Sequence, residues 1–219
     1  MLRHIIGGGL EPFELVMLLV SYALLILVML PVHELAHAFV ATKLGDNTPR
    51  WHGRLTINPF AHLDLWGTLM LVLFGFGYAK PVPVNPRNFR NPRRDMALVA
   101  LAGPLSNLLM AFVVLLLYRL LAFLPAVSGI AVIVISLLVY VVVPVNISLA
   151  VFNLLPIPPL DGSRIFSAIL PPRAAFWMSQ NEQTIRLILI VLLATGALST
   201  PINYLSDKVF EILLKVCGF

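Results

Sequence analysis

The stretch FELVMLLVSYALLILVMLPVHELAH, residues 13–37, decides how this chain folds. Residues 13–32 are almost entirely apolar, and a helix of that length, at 1.5 Å per residue, covers about 30 Å, the thickness of a bilayer's hydrocarbon core. A cleaved signal peptide is the alternative, but signal h-regions run only about 7–15 residues. The stretch therefore predicts a membrane-spanning helix that ends in the ionisable cluster His33-Glu34-Leu35-Ala36-His37.

The composition extends this prediction to the whole chain. Of its 219 residues, 59% are hydrophobic and 11% charged, whereas about a quarter of an average soluble domain is charged. A chain this apolar is expected to lie in a lipid bilayer. The net charge of +5 does not indicate a nucleic-acid partner, because the basic residues lie in short loops between apolar runs. The single cysteine, Cys217, excludes a disulfide within the chain.

Further apolar runs follow the first one. Residues 96–124 predict a second span and residues 130–160 a third, whose last turns are unwound by a proline run that begins at Pro156. Residues 187–205 predict a weaker fourth span that is bent or stopped near Pro201. We therefore expect several membrane helices joined by short loops.

Three other segments do not read as spans. Residues 43–64 are polar, aromatic and turn-rich, which predicts a short strand or hairpin at the membrane surface. Residues 65–79 are apolar but short and interrupted by glycine, which favours a re-entrant or tilted segment. Beyond Tyr204 the apolar residues 205, 209, 212, 213 and 216 share one helix face, as is typical of an interfacial helix.

These segments together predict an all-α multi-pass membrane protein. Its core would be three transmembrane helices, with a re-entrant or short β segment and additional C-terminal helices. We expect one membrane-embedded domain over 1–219, with a core at about 11–165 and the C-terminal helices at about 184–217.

The basic residues predict the orientation in the membrane. Eight of the fifteen lie between Lys43 and Arg94, and three more, Arg164, Arg173 and Arg186, follow the third span. Because basic loops stay on the cytoplasmic side, we expect the N-terminus outside and the end of the first span near the cytoplasm. The expected location is the cell membrane.

The cluster after the first span has the spacing of a metal site. On a continuous helix His33 and His37 are one turn apart on the same face, so both imidazoles can reach one Zn²⁺. Glu34 would then reach the metal's water as a general base. The alternative is a solvated helix end, but ionisable residues at the end of an apolar span are costly unless they are paired or bind metal.

A catalytic zinc site usually has three protein ligands, so a third is needed. The candidates are His52, His62, Asp64 and Asp161. Asp161 is the best placed, because it lies at the cytoplasmic end of the third span, after the helix-breaking prolines and before Gly162, which permits a sharp turn.

Several motifs in this order resemble the site-2 protease family of intramembrane metalloproteases, in its short bacterial and archaeal branch. They are His33-Glu34-Leu35-Ala36-His37, Gly103-Pro104-Leu105-Ser106-Asn107, Asn153 followed by Leu160-Asp161-Gly162, and the stretch 77–85 (GYAKPVPVN). The resemblance covers roughly residues 30–165. One departure is the spacing between Asn153 and Asp161, which is longer than the family's compact Asn-Pro-Asp-Gly form.

The resemblance implies a role for each matching residue. His33, His37 and Asp161 would hold one Zn²⁺ per chain, and Glu34 would activate water. Asn153 would lie near the metal and stabilise the oxyanion or hold the substrate backbone. For Asn107 two roles stay open, a catalytic one and a close helix contact shared with Gly103.

The expected function is hydrolysis of peptide bonds in membrane-spanning substrate proteins, as in regulated intramembrane proteolysis. A metal-binding transporter is the alternative from another class, but it commonly has repeated halves and the sequence shows none. A non-catalytic scaffold is a further alternative, although it has no need for Glu34. We expect transmembrane protein substrates as partners, together with a regulatory membrane protein.

Overall fold

The computed structural model describes residues 12–74, 77–121 and 129–219, whose regular elements are all helical, with no strand among them. The helices are α1 (Pro12–Leu24), a π-helical segment (Leu25–Met29), α2 (Leu30–Lys43), α3 (Thr48–Trp51), α4 (Leu65–Phe74), α5 (Pro92–Leu121), α6 (Gly129–Asn153), α7 (Asp161–Ile169), α8 (Pro172–Gln180), α9 (Glu182–Ala194) and α10 (Ser199–Cys217). Two 3₁₀ turns, Pro59–Ala61 and Pro86–Asn88, lie between α3 and α5. The predicted all-α class is confirmed.

Two of the described helices are long and apolar enough to cross a membrane, Leu15–Lys43 and Pro92–Leu121. The pair α9 and α10 adds a third if it counts as one broken span, and Leu138–Asn153 is a shorter apolar helix. Three core spans therefore stay a prediction. Residues 122–124 of the second predicted span, residues 75–76 and residue 11 lie outside the described residues.

The first span stays helical through the ionisable cluster. Pro31 has no N–H, and its ring would crowd the carbonyl four residues earlier in a regular helix. The π-helical segment Leu25–Met29 lies just before it, and its wider turn accommodates the proline. Because α2 continues to Lys43, His33 and His37 lie one turn apart, and both are buried.

Helix α5 is the centre of the fold, since it packs against α2, α6 and α7. Small buried residues on α5, among them Ala100, Gly103 and Ala111, let neighbouring helices approach closely. Further along, Leu115 of α5 packs with Val143 and Ile147 of α6 in the main apolar core. The helices that carry His33, His37 and Asp161 are therefore both packed against α5.

The strand predicted in residues 43–64 is wrong. Pro49 and Pro59 each lie in the first turn of a short helical element, α3 and the Pro59–Ala61 turn. Asn58 accepts a hydrogen bond from Phe60 N–H at 3.1 Å, which fixes the second of these turns. Residues 55–58 between them run without a partner strand, so they cannot form a sheet.

The segment 62–80 begins and ends at the same place in the protein. The N–H of Lys80 donates to the carbonyl of His62 at 2.8 Å, so the two ends of the segment meet. Helix α4 lies between these ends. There is no room for a Cβ at Gly67, which lies against the backbone of Tyr78, or at Gly77, which lies against Gly67. The two arms can approach this closely only because both positions are glycine.

The C-terminal helices α9 and α10 meet at 83°. The predicted span 187–205 is therefore not continuous, because the chain breaks at 195–198, where Gly196 has a φ of 74°. Pro201 lies in the first turn of α10, where a missing N–H costs nothing.

The apolar face predicted for an interfacial helix is divided in α10. Val209 and Leu213 pack against the α5–α6 core, whereas Leu205, Ile212 and Val216 are exposed. The face that packs also includes Cys217, which is buried.

A buried carboxylate ties the end of α2 to the start of α5. Asp46 accepts hydrogen bonds from the N–H and hydroxyl of Thr48, from the N–H of Asn85 at 2.7 Å and from the amide of Asn88 at 2.7 Å. Burial alone would raise the pKa of Asp46, but these hydrogen bonds outweigh it and hold the pKa below its ordinary value. The loops 46–48 and 85–88 are thereby held together.

We expect Asp46→Asn to lower the free energy of unfolding by about 1–3 kcal/mol, because it removes charge-assisted hydrogen bonds from a buried site. Since the folded-state pKa is depressed, this stabilisation is present above the ordinary pKa of about 4 and is lost as the pH falls below it. Thermal unfolding in detergent at neutral and acid pH measures both effects. Asp207→Asn, at an exposed position, is the control, and equal melting temperatures for the two variants would contradict the prediction.

Candidate metal centre

Three ligand atoms from two distant helices meet beside α5. The Nε2 atoms of His33 and His37 are 3.1 Å apart, and each is 3.2 Å from Oδ2 of Asp161. Both histidines are buried, and the Asp161 side chain is 18% exposed. Among the described residues, these three form the only group with histidine, cysteine or acidic ligand atoms placed to hold a metal ion.

This triangle fits a tetrahedral zinc ion. With bonds of about 2.0–2.1 Å, neighbouring ligands of a tetrahedral site are about 3.3 Å apart, close to the separations found here. Oδ2 of Asp161 is buried and has no hydrogen-bond partner within the described ranges. An unpartnered buried carboxylate oxygen beside two imidazole nitrogens is costly unless a cation completes the site.

The Nδ1 atom of each imidazole, on the side away from the cluster, also has a partner. Nδ1 of His37 donates to the carbonyl of Val99 at 2.7 Å, so Nε2 keeps its lone pair for the metal. Nδ1 of His33 lies 3.2 Å from the side-chain amide of Asn107. The amide oxygen of Asn107 is buried and has no partner among the residues that the structure describes, and a half-turn of the amide would let it accept from Nδ1 of His33. Both partners come from α5.

Pro104 frees a helix carbonyl next to Val99. A proline within a helix has no N–H for the carbonyl four residues earlier, that of Ala100, and its ring crowds that turn. Val99 lies in the same turn of α5, one residue before Ala100. The side chain of His37 therefore meets α5 one residue before the carbonyl that Pro104 leaves without a helix donor.

Gly103 gives the two rings their place. A Cβ at this position would overlap ring atoms of both His33 and His37. Any larger residue would displace the two imidazoles, so the absence of a side chain at Gly103 is part of the site.

The carboxylate arrives from a break in the helical structure. Helix α6 ends at Asn153, which confirms the unwinding predicted from the prolines, and α7 begins at Asp161. The connection 154–160 contains a cis peptide bond between Pro158 and Pro159. Gly162 lies against the carbonyl of Leu154, where no Cβ would fit. The chain turns tightly here and brings Asp161 to the histidines.

Glu34 lies beside the cluster and is half-buried. Its carboxylate interacts electrostatically with His37 and with Arg54. It is the neighbour of His33 on α2, so it stays next to the cluster.

The other candidates for a third ligand have different partners. Asp64 accepts from the N–H of Gly67 at 2.9 Å at the start of α4, which is plain helix capping. Nε2 of the buried His62 lies 2.8 Å from the carbonyl of Thr56, and Nδ1 of the exposed His52 lies 2.9 Å from that of Thr48. The structure places none of them in the metal cluster.

Asn153 is placed differently from Asn107. Its amide nitrogen donates to the carbonyl of Leu149 at 3.0 Å, one turn back in α6, and no hydrogen bond joins it to the three ligand residues. Asn107 touches the cluster only through the side of His33 that faces away from the other ligands.

Two groups near the metal cluster were not predicted from the sequence. The carbonyl of Val99 carries no sequence signal, because any residue supplies one. Arg54 was counted only among the basic residues, yet it is buried beside Glu34. A basic residue directly after Gly53, which is in a turn, was the available signal.

Comparison with known proteins identifies relatives of this chain. The family described as "Peptidase family M50" matches this chain at residues 21–133 and 124–196. "Putative zinc metalloprotease YwhC" of Bacillus subtilis is 40% identical over 193 residues, which cover 85% of this chain and 82% of that protein. "Putative zinc metalloprotease Rip2" of Mycolicibacterium smegmatis is 33% identical, with 79% of this chain and 66% of that protein covered.

An archaeal relative is "Putative zinc metalloprotease MJ0611" of Methanocaldococcus jannaschii, 32% identical over 61% of this chain and 62% of that protein. No solved structure matches the chain at a significant level.

The apolar helices, the buried cluster and these relatives define a membrane zinc metalloprotease. The resemblance to the site-2 proteases is thereby confirmed. The chain belongs to peptidase family M50.

We expect Gly103→Ala to lower zinc affinity by about 10–100-fold, the loss typical of a disturbed metal surround, because its Cβ displaces both imidazoles. Leu105→Ala, at an exposed position on the same helix, should keep the affinity of the unmodified chain. Zinc content after dialysis against graded chelator concentrations measures both. Equal retention by the two variants would mean that Gly103 does not shape the site.

Proposed function

We propose that this chain hydrolyses peptide bonds of membrane-spanning proteins, with His33, His37 and Asp161 as the zinc ligands and Glu34 as the general base. The observation that carries the proposal is the convergence of three ligand atoms beside a half-buried glutamate. When bound, zinc supplies a Lewis acid that lowers the pKa of a water molecule toward about 7 and polarises a carbonyl.

The residues of the chain then have separate tasks. Glu34 takes a proton from the attacking water and later passes it to the leaving amine. Asn107 is a positioning residue, because it contacts the outer nitrogen of His33 and not the side on which the ligands meet. For Asn153 we keep the role of holding the substrate backbone or stabilising the oxyanion, which requires its amide to turn away from Leu149.

A substrate helix must unwind before it is cut, because all of its carbonyls are engaged in backbone hydrogen bonds. Residues 55–58 have no partner strand among the described residues, so the unwound chain can line up against them at Ile57. Ile57 is 76% exposed, and its N–H and carbonyl have no hydrogen bond within the described part of the chain. This supports the function without a preformed strand, since a substrate strand would supply the missing partner.

The membrane arrangement completes the proposal. The basic residues that flank the site support a position near the cytoplasmic side of the cell membrane, with the N-terminus outside. The meeting of His62 and Lys80 supports a re-entrant segment, since the chain comes back to the surface it left. The whole chain, 1–219, would act as one domain on transmembrane protein substrates, with gating by a regulatory membrane partner.

We expect Glu34→Gln to keep one zinc per chain and to lose cleavage by about 10²–10⁴-fold, the usual contribution of a general base. A panel of single-span substrates in liposomes, with zinc measured on every protein, tests this. Glu211→Gln is the matched control, because Glu211 is exposed and forms only a surface ion pair with Lys208.

Cleavage within the apolar segment by the unmodified chain and by Glu211→Gln, with loss in Glu34→Gln alone, supports both the reaction and the base. If all three proteins hold zinc and none cuts any substrate, the transporter or scaffold interpretation takes precedence. Ion flux is then the next assay.

We expect Ile57→Pro to reduce cleavage by about tenfold without loss of zinc, because proline removes the N–H that would pair with an unwound substrate. Ile57→Ala keeps that N–H and loses only the side chain, so it separates the two contributions. If Ile57→Pro cuts as fast as Ile57→Ala, residues 55–58 do not receive the substrate through their backbone.

A further inference from the structure

Arg54 is a buried cation, and the hydrogen bonds that its guanidinium donates in the described structure go to backbone carbonyls. It is 4% exposed, and no carboxylate forms an ion pair with it among the residues that the structure describes. One guanidinium nitrogen donates to the carbonyl of Ala61 at 2.5 Å. The other donates to the carbonyls of Lys80 at 2.9 Å and Pro81 at 2.7 Å. Burying a charge for this purpose is costly, so the contacts need a reason.

These carbonyls lie on the two ends of the segment 62–80. Ala61 immediately precedes the segment, Lys80 is its last residue, and Pro81 immediately follows it. Arg54 therefore adds three hydrogen bonds to the single backbone bond between His62 and Lys80. It also fixes the start of residues 55–58, because its own N–H donates to the carbonyl of Pro49 at 2.9 Å.

The same guanidinium lies near Glu34, the proposed general base. Burial lowers the pKa of Arg54, and the carboxylate of Glu34 opposes that shift. Arg54 thus lies within electrostatic range of Glu34 of α2 while its guanidinium binds the two ends of the 62–80 segment.

The guanidinium fork suits this task better than another cation would. Its planar array of donors reaches carbonyls on two separate arms at fixed angles, whereas a lysine ammonium is a point charge on a flexible stem. The contacts found here use two different nitrogens of the fork. Charge alone would not hold both arms.

We propose that Arg54 is a positioning residue that holds residues 55–58 and the base of the 62–80 segment beside Glu34, so that an unwound substrate is aligned with the metal centre. The inference rests on the proposed protease function and assigns the substrate-aligning role of that site to a residue that touches neither metal nor substrate.

The experiment compares Arg54→Gln, Arg54→Lys and the unmodified chain in liposomes, with kcat, KM and zinc content measured on one single-span substrate. Arg50→Gln is the matched control, since Arg50 is exposed on α3, four residues away. We expect Arg54→Gln to keep one zinc per chain and to raise KM by about tenfold or more, with kcat changed less than about threefold. Arg54→Lys should fall between, and Arg50→Gln should match the unmodified chain.

The split between KM and kcat distinguishes alignment from general stability. A partly unfolded population lowers the apparent kcat and leaves KM unchanged, so a raised KM is a result that a merely structural role would not give. An unchanged KM in Arg54→Gln overturns the inference, and so does full recovery by Arg54→Lys, because charge alone would then suffice.

If Arg54→Gln loses its zinc, Arg54→Lys decides. Zinc retained with a raised KM supports the inference, whereas zinc lost in both variants, or retained with an unchanged KM, overturns it. Failure of the unmodified chain to cut any substrate would instead count against the protease function itself.

Discussion

Lone pairs that point at one place repel each other unless a cation lies between them, and this constraint organises the protein. Two imidazole nitrogens and a carboxylate oxygen lie within 3.2 Å of one another beside a membrane helix. Everything around them keeps that arrangement. Val99 and Asn107 hold the outer nitrogens of the rings, Gly103 leaves room for both, and the break after Asn153 delivers the carboxylate.

Local patterns were enough to predict the elements that bear the chemistry. The spacing of His33 and His37 requires only that the helix continue through them, and the π-helical segment before Pro31 lets it do so. Asp161 was favoured over three other candidates because prolines end the preceding helix and free its neighbourhood. The position near the cytoplasmic side was predicted from the basic loops and stays a prediction, as does the number of core spans.

Long-range contacts could not be predicted from such patterns. The hydrogen bond from His37 to Val99 joins residues 62 positions apart, and that from Arg54 to Pro81 joins residues 27 positions apart. The expected strand in 43–64 was wrong because two prolines begin helical turns there, and no second strand lies alongside. The hydrophobic pattern of α10 also did not show that its apolar face is shared between the helical core and the exposed surface.

The origin of the three ligands has a consequence for folding. His33 and Asp161 are about 130 residues apart along the chain, so an ion that joined them would close a loop containing the whole of α5 and α6, and longer loops carry a larger closure entropy. Such an ion works as a crosslink between the two ends of the structural core, comparable in kind to a disulfide in a chain that can form none. The metal is then a structural component of the folded state as well as a reagent.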